Sequence, residues 1–162
     1  MSPGRPAPLP RGGSLGYQVN HLARLLAQTL RARIEALGVV PGQFAQLLAL
    51  YEQDGLTQAE LCERVRIEQP TMAGTLNRMQ RDGLIRRVPD AEDGRRARVL
   101  LTARARGLEA DLVTAAREVN VSATRGLTDS QVAVFMQTLA QLIDNLSTDL
   151  PRADRPAHSG LP

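Results

Sequence analysis

Apolar residues recur at three- and four-residue steps from Leu15 through Val19, Leu22, Leu26, Leu30 and Ile34 to Leu37, which predicts a long amphipathic helix. Ser14 can cap its start and Gly38 can end it. Pro41 opens a second helix in its first turn, where the missing N–H has no partner to lose. Phe44, Leu47, Leu48 and Tyr51 supply the apolar face of that helix, which ends near Asp54-Gly55. Thr57-Gln-Ala-Glu60 has capping-box form, the hydroxyl serving the Glu60 amide and the carboxylate reaching back to the Thr57 amide. A short third helix therefore starts there and turns Leu61, Cys62 and Val65 inward. After a turn through Arg66 to Glu68, a fourth helix runs from Gln69 to Asp82 with Met72, Leu76 and Met79 on its buried side. Two short helices with a tight turn between them, the second closed by Gly83, have the outline of a helix-turn-helix.

Past Gly83 the spacing changes to two short β-type runs, Leu84 to Val88 and Ala97 to Leu101, which read as a hairpin with an extended tip. Asp93-Gly94 marks its tight bend, where glycine tolerates a positive φ. Thr102 can cap a helix carrying Leu108, Leu112, Ala116 and Val119. Thr128-Asp-Ser-Gln131 is a second capping box, followed by Val132, Phe135, Leu139, Leu142 and Leu146. The expected fold is mainly α with a small β-hairpin wing, an α+β arrangement. One domain spans 15–150: a winged helix-turn-helix over about 41–102, flanked by long helices over about 15–37, 103–124 and 129–147. Residues 1–14 and 151–162, rich in Pro, Gly, Ser and Arg, are expected to be flexible tails.

Charge sharpens this picture. The formal net charge of the 162 residues is +3, and every basic side chain is arginine. Between Arg78 and Arg106 stand nine arginines against four acids, so the remainder of the chain is slightly acidic. Such clustering suits a phosphate-binding surface. Aromatic residues make up 2% of the chain, too few for a base-stacking platform on single strands, so a duplex is the better partner.

On the fourth helix, Gln69, Pro70, Thr71, Gly74, Thr75, Arg78 and Arg81 fall on or near the outward face. Gln69 and Thr71 can hydrogen-bond base edges or phosphate in a major groove, and Gly74 removes bulk where a groove wall would approach. Arg78, Arg81 and Arg86 suit backbone contact or internal pairing. At the wing tip Arg95 and Arg96 can enter a minor groove, with Asp93 orienting Arg95 through a carboxylate pair. Any surface helix turns polar residues outward and any turn can be solvated. Adjacency of the two features is what favours DNA.

The stretch TQAELCERVRIEQPTMAGTLNRMQRDGLIRRVPDAEDGRRARVLLT resembles the winged helix-turn-helix of the MarR family of bacterial transcriptional regulators, above all in the R-D-G-L-I segment and the D-x-x-D-x-R wing running into Leu101-Thr102. The likeness in helix order extends from Leu15 to Leu146. It implies an intertwined homodimer built from the helices at 15–37, 103–124 and 129–147, recognition of a palindromic operator, and repression relieved by a small aromatic or anionic effector. Tyr17, His21, Phe44 and Tyr51 are candidates to line the effector cavity or to be ordinary core. One departure is Ala105, where the family often has Gly after the L-T. The apolar stripes of the first and last helices exceed what the small module can cover, yet spacing alone does not decide between a dimer and packing within one chain. A winged-helix module for protein-protein assembly, without operator specificity, is the competing reading.

Other chemistry finds little support. His21 and His158 are the only histidines, so neither a metal site nor a histidine-based triad is expected, and no glycine-rich phosphate loop follows a strand. No cofactor and no enzymatic activity are expected. Cys62 is the only cysteine and falls on the inner side of the third helix, which reads as core rather than as a redox sensor. With no apolar run of membrane-spanning length and no apolar leader, the expected location is the cytoplasm, with no membrane contact.

Overall fold

The computed structural model describes residues 10–149. The tail expected at 151–162 lies outside the described residues, as do residues 1–9 of the N-terminal one; within the latter, Arg11–Gly13 form a single 3₁₀ turn. Seven helices and three strands follow: α1 Leu15–Ile34, α2 Pro41–Glu52, β1 Leu56–Thr57, α3 Gln58–Val65, α4 Gln69–Arg81, β2 Ile85–Pro89, β3 Ala97–Leu101, α5 Ala103–Gly107, α6 Glu109–Ala123 and α7 Asp129–Asp149.

Local chemistry places most of these ends. Ser14 Oγ accepts the Tyr17 amide at 3.3 Å at the start of α1. Thr57 and Glu60 form the reciprocal capping box of α3, with the Thr57 amide donating to Glu60 Oε2 at 2.7 Å. Thr102 Oγ1 accepts the Ala105 amide at 3.2 Å, and Thr128 pairs reciprocally with Gln131 before α7. After α4, Gly83 adopts φ +69°, a left-handed conformation that reverses the chain into the wing.

Three features depart from the sequence expectation. The wing belongs to a three-stranded antiparallel sheet in the order β1-β3-β2, with Leu56 opposite Val99 and Ile85 opposite Leu101. The expected helix over 103–124 is broken at Leu108 into α5 and α6. Gly94 is absent from the positive-φ glycines, so the tip is not the bend expected: Arg96 N bonds Asp93 O at 2.9 Å across Gly94-Arg95 with no left-handed residue in the turn.

The core sits between α2, α3, α4 and the sheet, with Leu47, Leu50, Leu61, Met72, Leu76, Met79, Leu84 and Ile85 buried, and α1 and α6 reach it through Ile34 and Leu112. The buried stripe of α2 is rotated from its expected face. Gln43, Gln46, Leu47 and Leu50 point inward while Phe44, Leu48 and Tyr51 are half-buried. Gln43 is satisfied there, donating to Asp82 Oδ2 at 2.6 Å and accepting the Val40 amide at 3.2 Å.

Away from this core the apolar stripes stay uncovered. Leu15, Tyr17, Val19, Leu22 and Leu25 on α1 are exposed, as are Val134, Phe135, Met136, Ile143 and Leu146 on α7, whose one buried residue is Ser147. No single helix among the described residues is long and apolar enough to cross a membrane.

Candidate nucleic-acid interface

The fourth helix and the wing project from one scaffold. The side chains on α4 divide at the 72/75/76/79 stripe, which turns Met72, Thr75, Leu76 and Met79 inward. Thr75 is therefore 3% exposed, not outward as its polarity suggested, and its hydroxyl accepts Arg78 Nη2 at 3.0 Å. Position on the helix outweighs residue type here: 75 lies three residues beyond Met72, on the same face. Gln69, Pro70, Thr71, Arg78 and Arg81 are exposed and Gly74 is half-buried. A Cβ at Gly74 would meet only Arg78 Nη1, at 3.8 Å, so the space over it is open.

Two side-chain hydrogen bonds reach α4 from neighbouring elements. Gln58 Nε2, at the start of α3, donates to Gln69 Oε1 at 2.9 Å. Arg87 Nη1 on β2 donates to Gln80 Oε1 at 2.8 Å, tying the wing to the helix. Arg104 reaches from α5 to the carbonyl oxygens of Asp82 and Leu37, so the ends of α4 and of the segment after α1 share one guanidinium.

The wing is organised by Asp90, whose side chain is 4% exposed. Its Oδ1 accepts the amides of Glu92 at 2.8 Å and Asp93 at 3.3 Å, and its Oδ2 meets Arg98 Nε at 2.6 Å. Arg98 Nη1 in turn donates to Gly55 O at 3.0 Å, joining the wing to the turn before β1. The Glu92 amide above all, then the Asp93 amide and the Arg98 charge, hold the Asp90 carboxyl below the ordinary range against the opposing effect of burial. Asp54 does similar work behind the sheet, accepting the Leu101 amide at 2.9 Å and pairing with Arg106 Nη2 at 2.6 Å.

Asp93 behaves differently from its expected role. Its Oδ1 accepts the Arg95 backbone amide at 3.1 Å, but its Oδ2 pairs with Arg96 Nε at 3.4 Å. The guanidinium oriented by Asp93 is thus that of Arg96. Arg95 projects from the turn with no side-chain partner among the described residues, as do Arg81 and Arg86, all three exposed. The basic cluster therefore separates into arginines consumed in structure (Arg87, Arg98, Arg104, Arg106) and arginines left to meet an external anion.

The effector candidates fall into two separate pairs. Tyr17 and His21 face each other one helical turn apart on exposed α1, their rings 6.2 Å apart. Phe44 and Tyr51 lie against the core, and Tyr51 Oη donates to Ala105 O at 2.7 Å. Burial, aided by the charge of Glu109, pushes the Tyr51 hydroxyl up to about 12, so it stays a donor at neutral pH. None of the four lines the cleft of about 310 Å³ between α1 and α6, which is formed by Arg33, Thr114, Arg117, Glu118, Val121 and Ser122. Cys62 is buried, and burial first, then the charge of Glu63, raises its thiol above the ordinary value. Among the described residues no group of three His, Cys, Asp or Glu is placed to hold a metal ion.

Asp54, Asp90, Arg98 and Gln58, which the sequence pattern does not single out, share a property. Each has a side-chain link to a residue distant in sequence, from 8 positions for Asp90 to Arg98 up to 52 for Asp54 to Arg106, and no local spacing announces those links.

Residues 37–96 match the model of the MarR family. The HTH-type transcriptional regulator YsmB of Bacillus subtilis is 27% identical over 135 residues, covering 83% of this chain and 92% of that protein. Among solved structures, a MarR transcriptional regulator from Methanosarcina mazei is 27% identical with a TM-score of 0.74, covering 84% of this chain and 98% of the other. The PcaV transcriptional regulator of Streptomyces coelicolor, solved with its natural ligand, is 25% identical with a TM-score of 0.75, covering 85% and 97%. With a helix-turn-helix closed by Gly83, an arginine-tipped wing and flanking long helices in that order, the chain is similar to MarR-family transcriptional regulators in sequence over residues 37–96 and in fold over most of its length.

Proposed function

We propose that the protein is a homodimeric repressor that binds a palindromic operator and leaves it when a small molecule binds. The observation that carries this reading is the coexistence of the exposed polar start of α4 with unpaired Arg95 on a wing whose base is locked by Asp90 and Arg98. Gln69, Pro70 and Thr71 enter the major groove, Gly74 lets the wall approach, and Arg95 enters the adjacent minor groove, whose negative potential attracts guanidinium. Arg78, Arg81, Arg86 and Arg96 serve phosphates. The uncovered apolar faces of α1 and α7 support the dimer, because contiguous exposed apolar surface of this kind marks an interaction site.

Effector release rests on a ligand that favours a half-site spacing unlike that of DNA. PcaV, solved with its natural ligand, supports a small molecule here. Tyr17, His21, Phe44 and Tyr51 remain the candidates for an aromatic or anionic effector. The site of action is the cytoplasm.

The test is a titration of the purified protein with duplexes from its own upstream region and with scrambled duplexes across a salt series. Preference for one upstream duplex, with affinity falling steeply as salt rises, is expected. No sequence preference together with a flat salt response would overturn the operator reading in favour of a protein-assembly module.

A further inference from the structure

The Gln58–Gln69 pair has no structural task. Thr57 and Glu60 already cap α3, and the N-cap of α4 makes no side-chain hydrogen bond, so neither glutamine starts its helix. Gln69 is exposed and Gln58 half-buried, and an amide pair that could equally bond water adds little to folding. What the bond at 2.9 Å does is set the terminal torsion of Gln69, which is otherwise broad and two-fold.

The remaining valences are specific. A carboxamide oxygen accepts two hydrogen bonds and its nitrogen donates two. With Gln58 donating to Gln69 Oε1, Gln69 keeps one oxygen lone pair and both N–H groups, and Gln58 keeps one N–H. In the major groove adenine offers the N6 donor beside the N7 acceptor, whereas guanine offers two acceptors, O6 and N7. A fixed amide that presents oxygen and N–H side by side matches adenine and opposes its oxygen to O6 of guanine.

We propose that Gln58 and Gln69 act together to read one adenine in each half-site. Gln69 touches the base. Gln58 is a positioning residue, holding the Gln69 amide and spending its second N–H on the neighbouring phosphate. This rests on the duplex reading proposed above.

The experiment is selection from a duplex library randomised across the whole site, with wild type, Gln69→Ala, Gln58→Leu and the double variant, followed by affinity measurement on the selected duplex. Wild type should enrich a symmetric site with one fixed adenine per half-site, and replacing that adenine by guanine or by 7-deazaadenine should weaken binding about tenfold. Gln69→Ala should lose preference at that position alone. Gln58→Leu should relax the same position and no other, with the double variant no worse than Gln69→Ala. Unchanged circular dichroism and melting temperature separate this from misfolding. The dyad is overturned if wild type enriches a site whose Gln69-dependent base is not adenine, or if Gln58→Leu leaves that position as selective as before. Failure of wild type to enrich any site would instead remove the duplex reading on which the dyad stands.

Discussion

Asp90 stands where β2 leaves the sheet, and its carboxylate gathers the Glu92 and Asp93 amides and the Arg98 guanidinium. Because those partners lower its folded pKa, the stabilisation is fully present above the unfolded carboxylate value of about 3.9 and is lost as pH falls through the lower folded value. Asp90→Asn should therefore lower the melting temperature by a few degrees at neutral pH, and the gap from wild type should close as thermal scans are taken to more acidic pH. A gap independent of pH would show that the charge is not what matters. Arg95→Ala is expected to do the opposite: melting unchanged, duplex affinity reduced, and the slope of log affinity against log salt smaller by about one. Cys62, buried with a raised thiol value, should give no peroxide response, so DNA binding of wild type and Cys62→Ser should be equally insensitive to oxidant. At this scale the sequence showed Arg95 and Cys62 because each answers to local position, whereas Thr75 was misread by its polarity and Asp90 was invisible without its partners across the wing.

At the scale of elements, the helix starts were readable because their signals are local. Ser14, Thr57, Thr102 and Thr128 each act on an amide three residues on. Gly83 is equally local: at φ +69° with nothing near its absent Cβ, it answers to backbone geometry alone. Gly83→Ala should cost about 1–2 kcal/mol in chemical denaturation, the cost of a left-handed L-residue, with no cavity or clash contributing. What escaped the sequence was mostly non-local. The strand β1 has two residues, too few for alternation to register, and exists because Leu56 and Thr57 meet Val99 and Arg98 on β3. The break at Leu108 directly follows Gly107, a weak helix former that the apolar spacing of Leu108, Leu112, Ala116 and Val119 passes over. The rotated face of α2 arises because Gln43 satisfies both ends of its amide in the core, a condition that hydrophobic periodicity reads as exposure.

The whole molecule pairs a covered winged module with two uncovered helices. On α7, Phe135 is 50% and Leu146 63% exposed, although they recur at the spacing of an apolar stripe. The sequence had left a dimer and intrachain packing both open; the exposed stripe argues against its being filled within one chain. Phe135→Asp should leave the fold of each chain intact, since no core contact is lost, while weakening the proposed dimer about tenfold or more, measured by sedimentation equilibrium. Association unchanged by this substitution would place the interface elsewhere. The most direct test of the division between helix and wing is hydroxyl-radical footprinting on the preferred upstream duplex with wild type and Arg95→Ala. Two-fold symmetric protection is predicted, in half-sites roughly 34–36 Å apart, with the outer minor-groove protection lost in Arg95→Ala and the remainder kept. A footprint without symmetry, or one that Arg95→Ala leaves unchanged, would contradict it.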